Sequence, residues 1–146
     1  MIRELKSFEV GIIAEGGQAF AKEANLPGGF KAEIFCANWK SYIESGNAVV
    51  IAAFDGTVIT GALGAILCPD MFNGDTVAVE SFWYVLKKYR GNGMRLLFKF
   101  EDWAKERAAR IAMIHLEHLH PTELRKLYER LGYRHVESHY VKDFYT

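Results

Sequence analysis

The segment Tyr89-Arg90-Gly91-Asn92-Gly93-Met94-Arg95 decides how the rest of the chain is read. Before it lies Thr76 to Leu86, rich in β-branched and aromatic residues, which predicts a strand. After it, from Gly93 to Ala109, Leu96, Leu97, Phe100, Trp103 and Ala104 recur at three-to-four spacing with Lys99, Asp102, Lys105 and Glu106 opposite, which predicts an amphipathic helix. A strand that passes through a tight glycine turn straight into a helix has the outline of an anion site. The first N–H groups of the helix lack internal partners, and glycines let a phosphate approach the main chain without meeting a Cβ. Arg90 and Arg95, with Lys87 and Lys88 just upstream, make the local field positive. The spacing matches neither the G-x-x-x-x-G-K of a nucleoside-triphosphate loop nor the G-x-G-x-x-G of a dinucleotide fold. Taken alone, Gly91, Asn92 and Gly93 read sooner as a plain turn ahead of a helix than as a phosphate site.

Working outward, Ile2 to Lys6 predicts a short edge strand, and Glu9 to Ala24 one helix interrupted at Gly16 and Gly17. After Pro27, Gly28 and Gly29, the run Phe30 to Glu44 places Ile34, Phe35, Trp39 and Ile43 at helical spacing until Gly46 and Asn47 stop it. Ala48 to Phe54 and Thr57 to Leu67, joined by Asp55 and Gly56, predict a hairpin, and Cys68 to Asp75 a loop. Past the central helix, Ile111 to Leu116 predicts a short strand, Thr122 to Leu131 a helix closed by Gly132, and Tyr133 to Tyr145 a last hairpin around Ser138. The order predicts an α/β (α+β) fold: a central mixed, mostly antiparallel sheet of about six to seven strands with helices on both faces.

A chain of 146 residues, 50% of them apolar, without repeat, linker or low-complexity tract, is expected to form one domain spanning 1–146. Eighteen basic and 18 acidic side chains balance to zero, which argues against nucleic acid or an anionic membrane as partner and leaves any anion site local. Cys36 and Cys68 are too few and too far apart for a disulfide framework and read as buried free thiols. Met1 to Lys6 does not resemble a signal peptide, and no stretch nears the roughly 18 apolar residues of a membrane span. A cytoplasmic location is expected.

The run Tyr89 to Met94 after an aromatic strand, followed by a helix, a short strand and then Leu127-Tyr128-Glu129-Arg130-Leu131-Gly132-Tyr133, resembles the GNAT superfamily of N-acetyltransferases. The likeness spans roughly the second half of the chain, from Val77 onward, and rests on two motifs in the family's order. In that family [Q/R]-x-x-G-x-[G/A] wraps the pyrophosphate of CoA; it maps here onto Arg90, Gly93 and position 95, where Arg95 replaces the usual small residue. The resemblance implies an acyl-CoA N-acyltransferase that binds acetyl-CoA through Arg90, Gly91, Asn92, Gly93, Met94 and Arg95. It also implies that strands 4 and 5 splay at a bulge, Ser81 to Val85 parting from a neighbour that begins near Ile111. The pantetheine arm would lie along Trp83, Tyr84 and Val85, pairing like an added strand.

Transfer of an acyl group from a thioester to a primary amine needs a neutral amine, a polarised carbonyl and a proton for the departing sulfur. The resemblance makes Tyr128 the general acid, against the alternative of a tyrosine packed into the core beside Leu124 and Leu131. Glu80 is the candidate base, against a solvated strand residue. His115, His118 and His120 are alternative bases, with ordinary pKa values of ~6.5. With Glu117 they suggest a metal site, but His115 and His118 would point to opposite faces of a strand, so none is expected. The position seven before Tyr128, often an Asn that contacts the cofactor arm, is Pro121; His120 or Thr122 would take over that contact, or it is missing.

The resemblance places the acceptor against the first two helices and the last hairpin, where Phe30, Trp39, Tyr42 and Tyr140 would line it unless they belong to the core. The run Val79 to Val85 is also similar to acetyltransferase-like proteins of bacteriophages, which would admit a nucleic-acid or host-protein target. The acceptor is thus a small-molecule or macromolecular amine, and a homodimer is allowed. A CoA-binding or regulatory module of the same fold without turnover is the alternative, motivated by Arg95 and Pro121.

Overall fold

Alternate residues of strand β2 (Ala48–Asp55) feed two separate cores. Val49, Ile51 and Ala53 join one, while Val50 and Ala52 join the other. A strand buried on both faces must lie inside a sheet covered by helices on either side. The computed structural model describes residues 1–116 and 123–144, and it has this layered arrangement. The sheet runs in the order β1-β2-β3-β4-β5, with β1 (Ile2–Glu4), β3 (Val58–Pro69), β4 (Thr76–Val85) and β5 (Arg110–Ala112). The first three pairings are antiparallel and β4–β5 is parallel.

Helix α3 (Gly93–Lys105) covers one face, its buried Leu96, Leu97, Phe100, Trp103 and Ala104 packing on Ile51, Leu63, Ala65 and Ala78. This is the stripe the sequence predicted, four residues shorter at its end. The chain leaves the helix there because the Ala109 N–H donates to Thr76 O at 2.9 Å, drawing it into the sheet. The other face carries α1 (Ala14–Ala24), α2 (Ala32–Glu44) and a 3-10 segment, Ser7–Ile13, around a core of Leu5, Val10, Ile13, Trp39, Val50, Ala52 and Ala62. A short α4 (Glu123–Arg130) follows β5 and ends at Gly132, whose φ is +90°.

Three expectations are corrected. The first helix is not interrupted at Gly16 and Gly17, which lie inside α1 with ordinary helical backbone. The change of helix type falls earlier, after Ile13, and the 3-10 segment is held by Glu9, which accepts from the Lys6 N–H and pairs with Arg3 at 2.7 Å. The hairpin turn sits one residue later than Asp55-Gly56: Asp55 pairs with Val58, and Gly56, at φ +60°, takes the first turn position, as a II′ turn requires.

The third correction is the sheet, which has five strands among the described residues rather than six to seven. Residues 133–144 contain no strand, and Tyr140 and Phe144 are 96% and 82% exposed. Neither alternate face of that stretch is apolar, since Arg134, Ser138 and Lys142 interrupt one and His135, Glu137, His139 and Asp143 the other. The edge it would join, β5, is three residues long and not the six expected. Cys36 and Cys68 are free, as expected, but half-buried.

Candidate active site

The site begins with an irregularity in β4. Gly64 pairs with Phe82 and Ala65 with Glu80, so Ser81 is left over as a bulge. Gly64 makes room for it: a Cβ there would stand 2.3 Å from the Phe82 ring, which Phe35 and Trp39 hold from behind at centroid distances of 5.6 and 5.1 Å. Before the bulge β4 pairs with β5, from Val77 with Arg110 to Val79 with Ala112; after it that ladder stops. The two strands splay where the resemblance implied.

Glu80 occupies the opening of the split. Its carboxylate Oε2 accepts a hydrogen bond from the Ile114 main-chain N–H at 3.0 Å, and the residue is 3% exposed. Burial pushes its pKa up to about 7, and the Ile114 hydrogen bond opposes that rise only in part. Glu80 is therefore no solvated strand residue. Its carboxyl is poised to exchange a proton near neutrality.

Tyr128, on α4, comes to the same place and is 8% exposed. Burial first, then the charges of Glu80 and Tyr133, hold its phenol well above the ordinary range, so it stays protonated. Its hydroxyl has no hydrogen-bond partner among the described residues. The ring is fixed by aromatic neighbours, His115 at 6.3 Å and Tyr133 at 5.5 Å between centroids. Tyr133 is itself anchored by its hydroxyl, which donates to Glu101 Oε2 on α3 at 3.1 Å. His115 thus lies beside Tyr128, while Glu117, His118, His120, Pro121 and Thr122 lie outside the described residues.

Between β4 and α3 the chain makes a 3-10 turn, Lys87–Asn92. Tyr89 pins it, its N–H donating to Leu86 O at 2.8 Å and its hydroxyl to Asp55 Oδ2 at 3.2 Å. Lys87, Lys88, Gly91 and Arg95 are exposed, Met94 packs toward the core, and the side chains of Arg90 and Asn92 lie outside the described set. Neither Gly91 nor Gly93 has the left-handed φ that would require glycine. A Cβ at Gly91 would meet nothing within 4 Å, and one at Gly93 only ordinary contacts with Val85 and Trp83 at 3.5 Å and beyond. The protein's own packing thus gives no reason for either glycine. Gly91 is exposed, whereas Gly93 is buried at the start of α3, its missing Cβ facing Val85 and Trp83.

The three residues suggested for the cofactor arm divide by face. Trp83 and Val85 pack toward α3 and touch the space at Gly93, whereas Tyr84 turns to the other face, edge-on to Phe20 at 5.7 Å. Only their main chain runs along one line, as pairing with an extended arm demands. Of the aromatics suggested for the acceptor, Phe30 and Trp39 line a cavity between α1, α2 and the sheet. Tyr42 meets Trp39 edge-on and is 41% exposed, and Tyr140 is exposed on the C-terminal stretch. The sequence reading missed the cavity itself, the Ile114 hydrogen bond and the Tyr133 anchor. The glycine pair in α1 was the available signal for the first.

A mixed sheet that parts beside a glycine turn opening a helix is the arrangement the resemblance implied. The chain belongs to the acetyltransferase (GNAT) family, whose model matches residues 20–133. No curated protein matches it in sequence. Among solved structures it resembles a transcriptional regulator from Bacillus halodurans C-125, with a TM-score of 0.76, 21% identity and 99% of each chain covered. It also resembles a ribosomal-protein-alanine N-acetyltransferase from Brucella melitensis biovar Abortus 2308, with a TM-score of 0.72, 20% identity and 99% of each chain covered. A third is AAC(6')-Iy in complex with a bisubstrate analogue, CoA-S-monomethyl-acetylneamine, with a TM-score of 0.72, 17% identity, and 100% and 98% of the two chains covered. At these identities the likeness is one of fold.

Proposed function

We propose that the protein is an acetyl-CoA-dependent N-acetyltransferase acting on a primary amine, with Glu80 as base and Tyr128 as acid. The observation that carries this reading is the meeting of a buried carboxyl, its pKa near 7, with a buried phenol that lacks a hydrogen-bond partner among the described residues, at the split in the sheet. The main-chain N–H groups from Gly91 to Arg95 would hold the pyrophosphate, with Arg95, Lys87 and Lys88 adding charge. Bound there, acetyl-CoA supplies an acyl carbon already activated as a thioester.

Glu80, when ionised, takes one proton from the ammonium and leaves a neutral nitrogen. That nitrogen bonds to the acyl carbon as the carbon–sulfur bond breaks. Tyr128 gives its proton to the sulfur and regains one from the nitrogen, so the only net proton leaves on Glu80. The two residues act in sequence for an electrostatic reason. Part of what makes Tyr128 a weak acid is the charge on Glu80, and that charge disappears once Glu80 is protonated.

The test is a calorimetric titration with acetyl-CoA, followed by thiol release with a panel of primary amines. Saturable binding together with amine-dependent release of CoA is expected. Absence of acetyl-CoA binding sinks the reading, and binding without any release across the panel would leave a CoA-binding module in its place.

A further inference from the structure

The cavity on the α1–α2 side of the sheet has a volume of about 730 Å³, within the range of small-molecule sites, roughly 300–1,000 Å³. Its walls carry Phe20, Phe30, Phe35, Trp39, Phe82 and Tyr84, whereas Glu15 is the one acid and Lys31 the one base among its described lining residues. Such walls offer apolar and aromatic contact and cannot neutralise a molecule with several positive charges.

The glycines of α1 sharpen this. Glycine inside a helix is unfavourable relative to alanine, so each asks for a reason. Gly17 has one in the protein itself: a Cβ there would stand 2.8 Å from Cζ of Phe30, so its absence lets that ring close over the helix. Gly16 has none. Its φ is not left-handed, and a Cβ would make only an ordinary 3.8 Å contact with Cδ1 of Tyr84. Yet Gly16 lines the cavity, so what its missing Cβ leaves clear is cavity space against the helix backbone. At the other side Ser81, the bulge residue, lines the same cavity and directly follows Glu80. Cavity floor and proposed base therefore occupy adjacent positions of one strand.

We infer that this cavity holds the acceptor, and that the acceptor is a primary amine carried on an aromatic or comparably flat apolar body that packs against α1 at Gly16. The inference rests on the acetyltransferase reading for the role of the amine. A polyamine or an aminoglycoside does not suit these walls.

The experiment titrates 2-phenylethylamine and, separately, spermidine into the wild type, Gly16→Ala and Gly16→Leu, with acetyl-CoA titrated into each protein in parallel. Alanine and leucine are better helix formers than glycine, so both variants should fold. The wild type should bind 2-phenylethylamine more tightly than spermidine. Its affinity should fall a few-fold in Gly16→Ala and at least tenfold in Gly16→Leu, with acetyl-CoA affinity unchanged throughout. Equal amine affinity in all three proteins, tighter binding of spermidine, or no binding of 2-phenylethylamine overturns the assignment. The acetyl-CoA titration reads separately on the enzyme assignment, so failure of one is distinguishable from failure of the other.

Discussion

The carboxylate of Glu80 on β4 accepts the main-chain N–H of Ile114 at 3.0 Å, two residues beyond the last β4–β5 pair at Ala112. In an unbroken parallel ladder a strand carbonyl would accept that proton. Here a side chain does so, satisfying the Ile114 N–H while the strands stand apart. One residue thus serves the opening of the cleft and carries the titratable group within it.

Because Glu80 must be ionised to accept a proton, kcat/KM should rise with pH through about 7, the value to which burial pushes its carboxyl. Glu80→Gln retains an oxygen for the Ile114 N–H but cannot take up a proton. We expect it to lower kcat by about 10²–10⁴-fold, as loss of a general base does, and to remove that limb of the profile. Acetyl-CoA affinity should change little. A pH–rate series on both proteins checks this, and an unchanged limb in the variant would assign the base elsewhere, with His115 the first candidate.

The same burial costs stability. The folded-state pKa of Glu80, about 7, lies above its ordinary value of 4.5. Between those values the native state binds the proton more tightly than the unfolded chain, so this contribution is fully present below about pH 4.5 and is lost as pH rises through about 7. At ~1.4 kcal/mol per pKa unit the loss comes to about 3 kcal/mol. Glu80→Gln should therefore melt higher than the wild type at pH 8, and the difference should shrink toward pH 5. Melting curves across that range measure it. A variant less stable than the wild type at pH 8 would mean that the carboxylate is satisfied in ways the Ile114 bond does not account for.

Much of this was legible in the sequence because local signals agreed with the tertiary outcome. The α3 stripe, the Ala48 to Leu67 hairpin and the turn at Gly91 to Gly93 each depend on spacing within a few residues. The missing last hairpin and the short β5 were not legible, because a strand exists only if an edge is free to pair with it, and the bulge at Ser81 removes most of that edge. Gly16 and Gly17 misled for a related reason. Glycine in a helix suggests a break from propensity alone, yet Gly17 is explained by a ring 13 residues away in sequence, on Phe30. Glu80 and Tyr128 were identifiable as residue types in a motif; the burial that alters their acidity was not.

Tyr128→Phe separates a catalytic phenol from a core aromatic. The hydroxyl is buried and lacks a partner among the described residues, a situation that typically costs ~1–3 kcal/mol, so its removal should leave the melting temperature unchanged or higher. If it supplies the proton for the leaving sulfur, kcat should fall by about 10²-fold or more while the affinity for acetyl-CoA stays within a few-fold. Stopped-time assays of thiol release with a saturating amine read this directly. Equal kcat in the two proteins would reduce Tyr128 to packing against His115 and Tyr133.

The glycine turn can be tested with the two measurements set against each other. Gly91 lies in a 3-10 turn, without left-handed φ and with nothing within 4 Å of where a Cβ would stand. Gly91→Ala should thus be neutral for folding or stabilise it by roughly 0.4–1 kcal/mol through the unfolded chain. If the turn binds a pyrophosphate on its main-chain N–H groups, the same methyl occupies the path of the phosphate, and acetyl-CoA should bind at least tenfold more weakly. A plain turn ahead of a helix predicts the first result without the second. Calorimetry and melting curves on the same preparations decide between them, because they read ligand binding and folding separately.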